Sequence, residues 1–351
     1  MEAGIIKKRI RQIRRRLSKN KINCLIVIKP ANVTYVTGFS GDESWAIITG
    51  GKTYLLTDSR FTEQAQGECP HCVIIERRKS LAESAAELIG KLKSIRTAGV
   101  EKSASLAVYE SLKKNVKTRL KPVANIIEPV RSIKDNSEIV SIQSAVKIAM
   151  KALAEVRKYM KAGITENELA GRLDFRIRQL GACNSFETIV AFGANASRPH
   201  HRPGGRKLKR NDTILVDFGA RYKNYCCDLT RCFVRGRPSA FYKKVYNAVQ
   251  EAQNAAIKMI KSGVEITAVD AAAREVIKKH NLPVYGHGTG HGLGLEVHEG
   301  PVVSSRSKGR FKAGEIITIE PAVYVAGKIG VRIENDILVT KTGCRILSGG
   351  G

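Results

Sequence analysis

Residues 213–234 read TILVDFGARYKNYCCDLTRCFV. Two apolar, β-prone runs, Thr213 to Phe218 and Cys226 to Val234, flank the polar turn Arg221-Tyr222-Lys223-Asn224. The pattern predicts a hairpin in which each strand carries one acid, Asp217 and Asp228. Centred between Tyr222 and Lys223, the hairpin would set the two acids directly opposite each other. Their Cβ atoms would then be roughly 4.5–5.5 Å apart, where like charges repel. The flanks, Ile214-Leu215-Val216 among them, are too apolar for a solvated surface strand. A cation between the acids resolves the conflict.

The same device recurs. Glu320 and Glu334 lie symmetrically about Gly327, between the runs Ile316–Val325 and Ile329–Val339. Ahead of this second hairpin, residues 286–294 read GHGTGHGLG. Alternating glycine disfavours a helix and lets backbone approach a crowded site closely. His287 and His291 have the spacing of a helical zinc motif. Without a helix they need not share an ion, so His291 is assigned to metal and His287 to the pocket wall. Asp217, Asp228, His291, Glu320 and Glu334 thus offer carboxylates and one imidazole. One nitrogen among many oxygens suits Mn, Co, Fe or Zn better than an all-oxygen Ca or Mg cage.

Further segments carry a resemblance. They are Phe186-Glu187-Thr188-Ile189-Val190-Ala191-Phe192-Gly193, Arg198-Pro199-His200-His201 and the run Gly290 to Glu299. In the first third, Asn32 to Phe39 and Leu55 to Ala65 join them. Together, and in this order, they resemble the metal-dependent peptidases of the pita-bread fold, which include prolidase, Xaa-Pro aminopeptidase, methionine aminopeptidase and creatinase.

The resemblance implies an α/β (α+β) chain with two domains: a creatinase-like α/β domain over 1–130, then a pita-bread domain over 137–351 with internal pseudo-twofold symmetry. It implies two divalent metal ions, Mn or Co by expectation, with Zn or Fe as alternatives. Asp228 and Glu334 would bridge both, Asp217 would hold one, and His291 and Glu320 the other. Glu320 would also take a proton from the attacking water. His200 and His298 match histidines that bind substrate and stabilise the tetrahedral oxygen. His287, His298 and Arg332 form the expected substrate-binding set, Arg332 by orienting the ligand carboxylates. Proline-containing peptides are the implied partners, and a homodimer is implied by analogy.

The branch within that family rests on a local absence. Glu299-Gly300-Pro301-Val302-Val303 follows His298, where many relatives carry an Arg suited to a free carboxylate. Its absence tilts the expectation towards Xaa-Pro aminopeptidase, with Xaa-Pro dipeptidase as the alternative; Arg198 or Arg202 could supply the missing cation. An amino-terminal domain of this length disfavours methionine aminopeptidase. A catalytically minor basic binding protein is the more remote alternative, and the intact ligand set argues against it.

Composition is that of a globular chain, 351 residues with 43% hydrophobic content. No apolar run approaches the ~18 residues of a membrane span. No signal-peptide core follows the first residues, so the expected location is cytoplasmic, without a membrane partner. The formal net charge of +28 is unusual for a peptidase and could attract a polyanion, although nucleic acid is not an expected partner. Cys69-Pro70-His71-Cys72 has redox-motif spacing, but a helix-like segment precedes it and a strand-like run follows, the reverse of a redox site. Reduced thiols fit the cysteine usage.

Helical spacing of Ile6, Ile10, Ile13 and Leu17 predicts a first helix over Ile5–Lys19 with that stripe in the core. Strand-like runs follow at Leu25–Ile28, Trp45–Ile48, Tyr54–Thr57, Val73–Ile75 and Ala98–Glu101. Helical patterns at Leu81–Leu92 and Leu106–Asn115 complete an α/β alternation. Glu128–Asn136 reads as a linker, with Asp135 or Ser137 capping the next helix. Later helices are expected over Glu138–Met160, Glu166–Leu180, Ala240–Lys261 and Val264–Lys279.

Overall fold

The computed structural model describes residues 3–348; the ends of the two expected domains, at 1–2 and 349–351, lie outside them. The chain separates into two compact units, Met1–Arg131 and Ser132–Gly351.

The first unit runs α1 (Ala3–Lys19), β1 (Cys24–Val27), α2 (Pro30–Thr37), β2 (Trp45–Thr49), β3 (Thr53–Thr57), α3 (Thr62–Glu68), β4 (Val73–Glu76), α4 (Leu81–Lys91), β5 (Thr97–Glu101), α5 (Leu106–Asn115), β6 (Arg119–Val123) and α6 (Glu128–Arg131). Its sheet has the order β4-β3-β2-β1-β5-β6. β1 pairs antiparallel with β2 and parallel with β5, so the sheet is mixed. One face packs Ile26, Ile47 and Leu56 against Ala85 and Ile89 of α4 and Leu112 of α5. Ile6, Ile10, Ile13 and Leu17 are all buried on α1, as the stripe predicts. Cys69 to Cys72 spans the turn between α3 and β4, helix before and strand after.

The expected linker is partly structured. Glu128–Arg131 forms a short helix, with Val130 and Arg131 buried. Arg131 donates to Asn32 Oδ1 at 2.7 Å, and the Asn32 amide donates in turn to Glu101 and Glu128. Buried polar groups that satisfy one another hold this stretch where Pro129 suggested a break.

The second unit begins with α7 (Asn136–Val156), capped by Asp135 and Glu138 in a reciprocal box, and α8 (Glu166–Gln179), capped likewise by Thr165 and Glu168. Then come β7 (Cys183–Asn184), β8 (Ile189–Phe192), β9 (Thr213–Phe218), β10 (Ala220–Tyr222), β11 (Tyr225–Cys226) and β12 (Leu229–Val234). A second helix pair follows, α9 (Ala240–Met259) and α10 (Ile266–Lys279). The last strands are β13 (Gly290–Gly292), β14 (Glu299–Val303), β15 (Ile316–Ile319), β16 (Ala322–Val325), β17 (Ile329–Arg332), β18 (Asn335–Val339) and β19 (Cys344–Ile346).

A helix pair against antiparallel hairpins therefore occurs twice. In the first half Ala149, Leu153, Leu169 and Leu173 cover Val190, Ile214 and Val216. In the second, Val245, Val249, Val269 and Ala273 lie in one cluster with Ile317, Ile319 and Val331. The inner hairpin strands, apolar on the helix side, present their acids on the other. Among the described residues no helix is long and apolar enough to cross a membrane.

Candidate metal centre

The second acid hairpin has the expected register. Ile319 pairs with Asn335 and Ala322 with Arg332, which aligns Glu320 with Glu334 about Gly327. The first hairpin departs from expectation. Tyr222 pairs with Tyr225, and Thr230 rather than Asp228 faces Asp217. Lys223 and Asn224 both have positive φ, 49° and 68°, and form a two-residue loop of the kind that matches strand twist. The turn centre therefore falls one residue later than expected. Register moves by two, side-chain parity is kept, and the two acids become diagonal neighbours on one face.

Five chain segments converge there. Asp217 is the penultimate residue of β9, Asp228 precedes β12, His291 is central in β13, Glu320 follows β15, and Glu334 lies between β17 and β18. His291 Nε2 lies 3.5 Å from Asp228 Oδ2 and 3.7 Å from Glu320 Oε1. Asp228, His291 and Glu334 offer donor atoms all within 4.8 Å of one another. His291 Nδ1 lies 3.0 Å from the Gly292 carbonyl. A carbonyl only accepts, so Nδ1 carries the proton and Nε2 turns a lone pair towards the carboxylates.

The cluster holds more negative charge than its protein neighbours balance. Burial first, then repulsion from Glu334 and the other acids, pushes Asp228 well above the usual carboxylate range. Glu320 is raised in the same way. Burial and Asp217 bring Glu334 up to about 7. Burial lowers His291 and His287 to about 4, which leaves both imidazoles neutral near pH 7. Asp217 Oδ2 accepts from Arg332 at 2.6 Å, but its Oδ1 is buried without a hydrogen-bond partner.

Arg332 organises the surroundings. Its guanidinium donates to Asp217, to Thr230 Oγ1 at 3.1 Å, to the Tyr324 hydroxyl at 2.6 Å and to the Pro199 carbonyl at 3.3 Å. The Thr230 hydroxyl in turn donates to Glu334 Oε2 at 2.7 Å. Arg332 is buried, and these bonds engage all three of its nitrogens. It therefore braces the carboxylates and the loop before His200.

The histidines take distinct places. The His298 ring packs 4.3 Å from that of His291, centroid to centroid, and the side chain is exposed. His287 stacks on Tyr285, with Nδ1 3.8 Å from Glu320 Oε2 and Nε2 3.3 Å from the Tyr324 hydroxyl. His200 is exposed and close enough for its charge to help depress His287, after burial. His201 instead meets buried Glu166 at 2.9 Å, and Glu166 also accepts from the Phe192 and Gly204 N–H groups. One histidine of the pair pins the loop and the other is free to face a ligand.

Asp336 was not anticipated. It is fully buried, accepts the Asp228 N–H at 3.2 Å, and leaves Oδ1 unpartnered. Strand alternation from Glu334 was the available signal, since positions two apart share a face.

Comparison with known proteins finds relatives along nearly the whole chain. The pattern of metallopeptidase family M24 matches residues 140–341, and that of the creatinase/prolidase N-terminal domain matches residues 9–133. An Xaa-Pro dipeptidase of Pyrococcus horikoshii is 33% identical over 98% of this chain and 97% of its own length. The structure of an Xaa-Pro dipeptidase from Bacillus anthracis superposes with a TM-score of 0.95 at 31% identity, covering 99% of this chain and 98% of that one. An X-Pro aminopeptidase from Thermotoga maritima gives a TM-score of 0.91 at 33% identity, with 97% and 98% covered.

Proposed function

The chain belongs to metallopeptidase family M24, and from that membership we propose that it is a dinuclear Xaa-Pro dipeptidase. The proposal reverses the tilt towards aminopeptidase drawn from the missing Arg after His298. A local absence weighs less than full-length similarity to proteins named Xaa-Pro dipeptidase. Arg198 and Arg202, both exposed beside His200, are the candidate cations for the substrate carboxylate.

The observation that carries the metal reading is Asp217 Oδ1, a buried acceptor with no donor in a cluster of acids. Buried polar groups lack a partner rarely, and a cation is the partner that fits this donor set. Asp217, Asp228, His291, Glu320 and Glu334 would hold two divalent ions: the donor chemistry suits Mn, Co, Fe or Zn, and the family resemblance favours Mn or Co. Bound there, two cations would acidify the attacking water and polarise the scissile carbonyl. Glu320 takes the proton from that water. His298 and His200 contact the substrate and donate towards the oxygen that gains charge. His287, fixed by Tyr285 and Tyr324, forms the wall.

The test compares Xaa-Pro dipeptides with Xaa-Pro-Yaa tripeptides on protein reconstituted separately with Mn, Co and Zn. Dipeptide cleavage should vanish on chelation and return with Mn or Co. Full activity in protein shown to be metal-free would end the dinuclear reading. A clear preference for tripeptides would restore aminopeptidase, the reading that the absent Arg favours.

A further inference from the structure

Lys134 lies in the stretch that reads as a linker, yet its side chain is only 1% exposed. Its backbone N–H donates to the Gly314 carbonyl at 2.8 Å. Its ammonium meets Glu299 Oε2 at 3.4 Å, and the Glu299 side chain is 3% exposed. Both residues belong to the second unit.

Glu299 opens β14 and pairs with Gly292 at the end of β13. Residues 293–298 are therefore a hairpin loop, and His298 is its last residue. The Glu299 carboxylate turns back into this loop, where Oε1 accepts the Glu296 N–H at 3.0 Å. Gly294 donates to the Glu296 carbonyl at 3.0 Å. A Cβ on Gly294 would stand 2.9 Å from Glu299 Oε1 and 3.1 Å from Lys134 Cε, so the pair fills the inside of the turn.

Removing two charges from water is unfavourable, and their attraction often does no more than offset that loss; an apolar pair of similar volume would stabilise the fold as well. What the ion pair adds is direction. Each carboxylate oxygen has its own donor, which fixes where the loop runs and hence where the adjoining imidazole stands. We propose that Lys134 and Glu299 are positioning residues that hold the 293–298 loop so that His298 stays against His291 and over the carboxylate cluster. The proposal rests on the functional reading above, in which His298 contacts the substrate.

The decisive variant is Lys134→Met with Glu299→Gln. Lys134→Met alone strands a buried carboxylate and risks misfolding. The double change removes both charges and keeps an acceptor for Glu296. Expected are unchanged metal content, a melting temperature near that of the parent, kcat on Xaa-Pro dipeptides lower by about tenfold, and KM within about twofold. In a His298→Ala background the same double change should lower kcat less than about twofold, because the group it positions is gone. An equal loss in both backgrounds, or none in the parent, overturns the proposal. If the parent cleaves no Xaa-Pro substrate, the functional reading fails on its own. The inference is then read from the His298 imidazole resonance of zinc-loaded protein, identified by its loss in His298→Ala. That resonance should shift or broaden in the double variant; an unchanged signal overturns the positioning role.

Discussion

At the scale of residues, carboxylates that bind metal and histidines that bind substrate should separate experimentally. Asp228→Asn and Glu334→Gln should lose metal occupancy together with activity, measured by elemental analysis beside turnover. His200→Ala should keep its metals and lose on the order of 10²-fold in kcat, since an exposed imidazole can be removed without disturbing the cluster. A normal kcat in His200→Ala would refute its role. The raised acids also give stability a pH dependence. A carboxyl group with a raised folded-state pKa keeps its proton in the folded chain after the unfolded chain has released it. Stability then falls as pH rises towards the folded value. His287 and His291, lowered to about 4, act in the opposite sense, but only up to the ordinary histidine range. Above about pH 6.5 the acids act alone: Glu334 at about 7, with Asp228, Glu320 and Asp336 each raised well above the ordinary carboxylate range by burial first and then by repulsion from neighbouring acids. Chelated protein should lose denaturant resistance between pH 6.5 and 8, and metal-loaded protein should show a flatter profile because cations replace the protons. A flat profile after chelation would contradict the crowding of these acids. The four acids were legible because they recur in pairs on strand-like runs, and His291 because it lies in an alternating-glycine run. Asp336 was not, because a fully buried acid two positions from Glu334 reads in sequence like the polar side of an ordinary strand.

At the scale of elements, close backbone approach at β13 is the most sensitive feature. A Cβ on Gly290 would fall 1.9 Å from the Thr318 carbonyl oxygen, and one on Gly292 would fall 2.2 Å from that of Gly300. Gly290→Ala should therefore displace the strand bearing His291 and lower both metal content and activity, whereas Gly286→Ala, with open space around it, should do neither. Loss of metal in Gly286→Ala but not Gly290→Ala would contradict the packing described. Ile13, fully buried on α1, makes a second test: Ile13→Ala should cost about 2–5 kcal/mol in urea unfolding of the first unit. Long periodic helices such as α7 and α9 were legible from spacing and caps. The first hairpin was legible in side-chain parity but not in register. Nothing in Arg221-Tyr222-Lys223-Asn224 announces that Lys223 will take a positive φ, which non-glycine residues adopt only when the flanking strands require it. α2 was passed over because Val33, Thr34, Val36 and Thr37 favour strands. Its signals were at the ends, in Pro30 at the first turn and Gly38 with φ 78° after the last.

At the scale of the whole molecule, the net charge of +28 is the property that the site does not use. On α1, Ile6, Ile10, Ile13 and Leu17 face inward while Lys7, Lys8, Arg11, Arg15 and Lys19 are exposed. The cations thus ring a helix whose apolar face is already occupied, so the helix has a packing role independent of any partner. Charge of this density still creates a field, and polyanions should collect in it. Such binding releases counterions, lacks sequence preference and weakens steeply with salt. Reversing Lys8, Arg11 and Arg15 to Glu should weaken retention on an anionic matrix at low salt. It should leave kcat/KM for Xaa-Pro dipeptides within about twofold, because surface changes away from packing rarely disturb a fold. The comparison needs two measurements on one preparation: RNA affinity across a salt series, and peptidase kinetics at fixed salt. Tight, salt-resistant, sequence-selective RNA binding that disappears on charge reversal would contradict this account and make the basic face a module with a purpose of its own.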